Sequence, residues 1–173
     1  MHKPGGETVL FDEEHYVDAT DNSTTSYTPA DKVFEGTYTG ISFVIGLDTA
    51  KNVSWRFLNP PENRMEWPIG MGGGYHYLKL EGKFESDARV NSFQAHSGQL
   101  MGIPYLINVN LPGSSFTVEG QNIVVQIIMD INKWWDNPNT IDLNNITSIM
   151  GNSTIQLQLM ENGTDVFSIG KIQ

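Results

Sequence analysis

The chain has 173 residues, of which 39% are hydrophobic and 17% charged, with a net charge of −10. It is long enough to bury a core and too apolar for intrinsic disorder, and no apolar run nears the ~20 residues of a membrane-spanning helix. An acidic balance without a basic stripe argues against a nucleic-acid partner, and the lack of cysteine removes disulfides and thiolate metal sites.

The first residues carry no apolar stretch of the kind a signal peptide needs. Gly5-Gly6 reads as a hairpin turn, with residues 8–11 leaving it. So short a lead before the turn suggests that first strands are missing, which would leave an uncovered edge near residues 1–15. Such an edge invites pairing with a second copy of the chain, so self-association through it is expected. Residues 18–29 read as a polar loop, and Glu35 to Tyr38 as a turn. Thr39 to Leu47 reads as a strand with Ile41, Phe43 and Ile45 on its core face. A long loop, 47–64, then delivers the chain to Trp67; loops of that length are commonly functional.

The stretch from Arg64 to Gly82 carries Trp67, Met65, Met71 and three consecutive glycines, and opens a strand at Tyr75. Alternation along that strand sets His76, Leu78 and Leu80 on one face, and Tyr75, Tyr77, Lys79 and Glu81 on the other. A charged turn is expected after Gly82, then a segment from Ser92 to Gly98 that contains His96. Further strands are expected at 103–111, 115–118 and 123–131, with turns at Pro112-Gly113 and Glu119-Gly120. Residues 132–138 read as one helical turn stopped by Pro138. Residues 141–150 fit a short helix or a loop. Thr154 to Met160 alternates with Ile155, Leu157 and Leu159 on one side, which predicts a strand. Asn162-Gly163 then predicts a hairpin turn before a closing strand at 166–169. Many short strands and no long helix give an all-β reading, a single antiparallel β-sandwich spanning residues 1–173.

No Cys nucleophile, G-x-S-x-G elbow, P-loop or dinucleotide-binding fingerprint is present, so no enzyme activity is expected. Asn-x-Ser/Thr begins at Asn22, Asn52, Asn145, Asn152 and Asn162, which chance explains in a chain this rich in Asn and Thr. Asp136, Asn139, Asp142, Asn144 and Asn145 crowd one loop with oxygens but lack calcium-loop spacing. His76 and His96 fall at the ends of separate strands. Two imidazoles with a soft thioether from Met71 or Met101 would suit Cu(I), although Cu(II) and Zn(II) also accept imidazole. The competing use of the methionines is core filling. The competing function is a surface module binding glycan or protein through Trp55, Trp134 or Trp135.

Four segments carry a family resemblance. Tyr38 to Leu47 (YTGISFVIGL) with Asp48 is similar to a "GxYxxIxFxIGvD" segment of the MbnP-like family. Met65 to Gly82 matches in its Trp, Gly-Tyr and Lys-Leu-Glu-Gly. Residues 93–98 match an "F-x-x-H-x-G" motif, and residues 162–169 match the close. The resemblance covers about residues 16–169. It implies a bacterial β-sandwich protein that is periplasmic, secreted or a surface lipoprotein and is associated with methanobactin or copper-starvation genes. It also implies copper held by histidines beside a Trp that a dihaem peroxidase-like partner oxidises to kynurenine. His96 matches the family histidine. Ile69 stands where the family commonly has a second Trp, and His76 rests on position alone. Position and resemblance together give an expected site of His76 and His96 with Met71 and Met101 as weaker donors, lined by Trp67, Tyr75 and Tyr77.

Overall fold

The fold comes from a computed structural model, which describes residues 1–111, 113–146 and 148–173. Strands dominate: β1 (Gly36–Tyr38), β2 (Ile41–Ile45), β3 (His76–Ser86), β4 (Arg89–Gly98), β5 (Ile107–Leu111), β6 (Phe116–Val118), β7 (Val125–Met129) and β8 (Phe167–Ile172). Among the described residues one α-helix, α1 (Ser153–Asn162), lies between β7 and β8 in sequence, and short 3-10 turns punctuate the loops. Among the described residues the strands pair in four two-stranded ladders, β1 with β6, β2 with β5, β3 with β4 and β7 with β8. The all-β, antiparallel expectation holds at that level. No helix among the described residues is long and apolar enough to cross a membrane.

The chain forms two compact units. The first comprises Met1–Ser42, Asn110–Ile128 and Ser168–Gln173. Here Tyr38 is fully buried and stacks on Phe116, its opposite number across the β1–β6 ladder. The expected turn at 35–38 is therefore largely a strand; residues 36–38 find partners at 116–118 that local propensity does not reveal. Gly5-Gly6 does turn the chain, and His2 bridges both Thr8 and Gly40. The N-terminal segment is thus paired on two sides at His2. The Pro112-Gly113 turn falls partly outside the described residues.

The second unit comprises Phe43–Val109 and Met129–Phe167. Its dominant feature is the β3–β4 hairpin. β3 runs past Gly82 to Ser86, so the expected charged turn lies later. Asp87 and Ala88 both take positive φ, 50° and 58°, and join Ser86 directly to Arg89. Two left-handed residues make the hairpin turn whose twist suits its strands. Along β3, Lys79, Glu81, Lys83 and Glu85 are exposed while Leu78, Leu80 and Phe84 are half-buried. The 3-10 turn at Ile131–Trp135 buries Trp134 completely, edge-on to Phe167.

The strand expected at 154–160 is instead α1, and Asn162-Gly163 is its C-terminal end rather than a hairpin turn. The side chain of Asn152 caps the helix, its Oδ1 accepting from the backbone N–H groups of Thr154 and Ile155. Leu159, Gln156 and Asn162 are fully buried, whereas Leu157 is 43% exposed. The buried stripe has helical spacing, but two of its members are polar. Asn162 donates to the carbonyls of Trp134 and Asn139. Hydrogen bonding makes such burial tolerable, and hydrophobicity alone cannot announce it. Asn52 and Asn162 are buried and Asn152 is a cap, so three of the Asn-x-Ser/Thr sites have structural duties. Replacing Asn152 with Ala should lower stability by about 1 kcal/mol in urea unfolding, the usual cost of an N-cap.

Candidate functional site

The site begins with one extra residue. His76 pairs with Gly98, but Leu78 pairs with Ser97 and Lys79 with His96, so β3 carries a bulge between His76 and Leu78. Side chains opposite each other in a ladder share a face. His76 therefore lies on the same face as Lys79 and His96. The expected grouping of His76 with Leu78 and Leu80 is corrected: strict alternation fails where two residues oppose one. Tyr77, the extra residue, is buried and pinned from elsewhere. Its hydroxyl accepts from Asn52 Nδ2 at 3.2 Å, and its ring lies against Gly46, where a Cβ would come within 2.6 Å. Burial pushes the Tyr77 phenol up to about 12.

On the shared face the imidazoles of His76 and His96 meet edge to face, centroids 5.1 Å apart. Trp67 meets His76 in the same way at 4.8 Å. Trp67 is only 2% exposed and packs over Gly98, where a Cβ would lie 2.7 Å from the indole. A small hairpin holds it there: Trp67 N–H donates to the Gly74 carbonyl, and Glu66 bridges Tyr75. Gly74 has φ +83° and no room for a Cβ beside Asn52 Oδ1. The structure thus brings Trp67, His76 and His96 together.

Each of the other expected residues has contacts of its own. Tyr75 is buried, with its hydroxyl accepting the Phe57 N–H and its backbone N–H donating to Asn52 Oδ1. Tyr75 and Tyr77 thus tether the long 47–64 loop through Asn52 and Phe57. Met71 and Met101 are joined to each other by a backbone hydrogen bond, and the Met101 side chain is 75% exposed. Within the oxygen-rich loop Asp142 accepts from Asn144 and Asn145, and Asn139 donates to Glu161 on α1.

Each imidazole has one nitrogen anchored. His76 Nδ1 is 3.0 Å from the Met65 carbonyl oxygen, while its Nε2 is buried without a partner among the described residues. His96 Nε2 is 2.6 Å from Glu81 Oε1. The His96 carbonyl accepts from Gln156 Nε2 at 2.9 Å, and the same amide reaches the carbonyls of Ile149 and Met150. Glu81, Gln156 and the Met65 carbonyl escaped sequence reasoning because the β3–β4 register and α1 bring them to the histidines. Among the described residues no group of three or more His, Cys, Asp or Glu is arranged to hold a metal. Trp67 Nε1 is also buried without a partner there.

Burial pushes His76 from 6.5 down to about 4, and the neighbouring His96 and Lys79 push the same way against the opposing Met65 hydrogen bond. The unfolded ring takes a proton below about 6.5, and the folded ring only below about 4. Between those values the unfolded state holds more protons. The contribution of His76 to stability is therefore complete above pH ~6.5, falls as pH drops through the window, and is gone below it. The midpoint of thermal unfolding should fall between pH ~6.5 and ~5 in the wild type and fall less in His76→Leu, with carboxylates adding their own losses lower down.

The MbnP family model matches residues 1–153. No curated protein and no solved structure matches the chain. The matched span contains Trp67, His76 and His96 together with the bulge that sets them side by side; the chain belongs to the MbnP family.

Proposed function

We propose that this protein binds one copper ion, as Cu(I), at His76 and His96, outside the cytoplasm and without enzymatic activity, on an antiparallel β-sandwich. The observation that carries the reading is the imidazole pair itself, with centroids 5.1 Å apart. His76 is held neutral by burial, and only neutral imidazole binds a metal. A structural zinc site needs four protein ligands, and calcium and magnesium need oxygens. A pair of imidazoles suits a soft ion that accepts few ligands, with Met71 or Met101 as a weaker third donor. Family membership supports the same reading. The alternating burial of β5, with Ile107, Val109 and Leu111 inside, supports the sandwich.

The competing surface-module reading loses support. Trp134 is fully buried and Trp135 stands edge-on to Phe93, which leaves Trp55 as the exposed ring of the three. We propose further that Trp67 is the residue a dihaem peroxidase-like partner oxidises to kynurenine, since its indole already touches His76.

Competition for Cu(I) against a chromophoric chelator tests the site. His76→Ala and His96→Ala should each remove most of the affinity, and Met71→Leu should cost much less. Equal affinity in the wild type and the double His→Ala variant would falsify the site. For Trp67, the mass of its peptide decides the modification. Protein made alone in a heterologous host should carry an intact indole, and protein from the native host should carry kynurenine; an intact indole in both removes the oxidation step.

A further inference from the structure

We propose that Glu81 is the positioning residue of the imidazole pair: it holds His96 with the proton on Nε2, so that His96 offers Nδ1 and His76 offers Nε2 to the metal. The tautomer assignment stands on geometry alone, and its use for copper rests on the function proposed above.

The argument starts from what each anchor can do. A backbone carbonyl only accepts, so the 3.0 Å contact from His76 Nδ1 to the Met65 oxygen puts the His76 proton on Nδ1. The lone pair of His76 is then on Nε2, the buried atom without a partner among the described residues. An ionised carboxylate also only accepts. The 2.6 Å contact between Glu81 Oε1 and His96 Nε2 therefore puts the His96 proton on Nε2 and the lone pair on Nδ1. The two rings present opposite nitrogens because their anchors approach from different places. Met65 ends the 3-10 turn at Glu62–Met65, whereas Glu81 is on β3, opposite Gln94 and diagonal to His96. Ligating histidines characteristically give their second N–H to a carboxylate or a backbone carbonyl, which fixes tautomer and ring orientation. Both kinds of anchor are present here, one per ring.

The Glu81 side chain is about half exposed, at 49%, so its removal opens no cavity. That separates positioning from folding. Measured on copper-free, 15N-labelled full-length protein near neutral pH, long-range proton–nitrogen correlation reads the protonated nitrogen of each ring. The expected result is Nε2–H for His96 and Nδ1–H for His76. In Glu81→Ala, His96 should become a mixture of tautomers while His76 stays as it is. Glu81→Gln, whose amide oxygen still accepts, should restore the Nε2–H form. Cu(I) affinity should fall about 10–100-fold in Glu81→Ala, and by less in Glu81→Gln. An Nδ1–H or imidazolium His96 in the wild type, or an unchanged tautomer in Glu81→Ala, overturns the role of Glu81. Unchanged copper affinity in Glu81→Ala, where the tautomer does shift, overturns its use for the metal. A wild type without affinity for copper overturns the function proposed above and the metal half of this inference, and the tautomer measurement then decides the other half.

Discussion

The site depends on a single residue of register. With Tyr77 inserted into β3, His76 turns to the face that carries His96; without it, His76 would turn to the face of Leu78 and Leu80. The insertion is held in place by other parts of the molecule. Asn52 binds the Tyr77 hydroxyl and the Tyr75 N–H, and Gly46 leaves room for the Tyr77 ring. The long loop before Trp67 thus acts at a distance, by fixing which way the first residues of β3 point.

Local polarity follows from that choice of face. The hairpin surface bearing His96 also bears Lys79, Glu81 and Gln94. Open to water, it would be an ordinary solvated face. Trp67 changes it by closing over Gly98 and His76, and the resulting burial favours a neutral ring. Cover from one indole and a charged rim beyond it give two histidines of one ladder different surroundings. His76 is walled in by aromatic and backbone groups, and His96 faces a carboxylate.

Most strands were legible because alternation reports a half-buried sheet directly. Ile41, Phe43 and Ile45 show it, and so do Ile107, Val109 and Leu111. Trp67 and His96 were legible through the motifs around them and His76 through its position at a strand end, while the faces on which they meet were not. A bulge has no local signature in Tyr75-His76-Tyr77; its cause lies at Asn52 and Gly46, more than twenty residues away. The helix was misread for a related reason. Ile155, Leu157 and Leu159 alternate by accident, while the true buried stripe runs through Gln156 and Asn162, whose burial depends on carbonyls contributed by other segments. Gly36–Tyr38 similarly became a strand only because Phe116–Val118 lay beside it. In each case a contact distant in sequence outweighed the local pattern.

The Gln156 amide has a consequence for how the site opens. It joins α1 to the His96 carbonyl and to the carbonyls of Ile149 and Met150, while its Oε1 receives the Gly98 N–H. Gly98 is the floor under Trp67, and His96 is half of the imidazole pair. Fraying of the helix would remove these bonds from the backbone beneath both rings together, so α1 and the end of β4 should exchange their amide hydrogens as one cooperative unit. A helix that contributes no imidazole thus helps to hold the histidine pair.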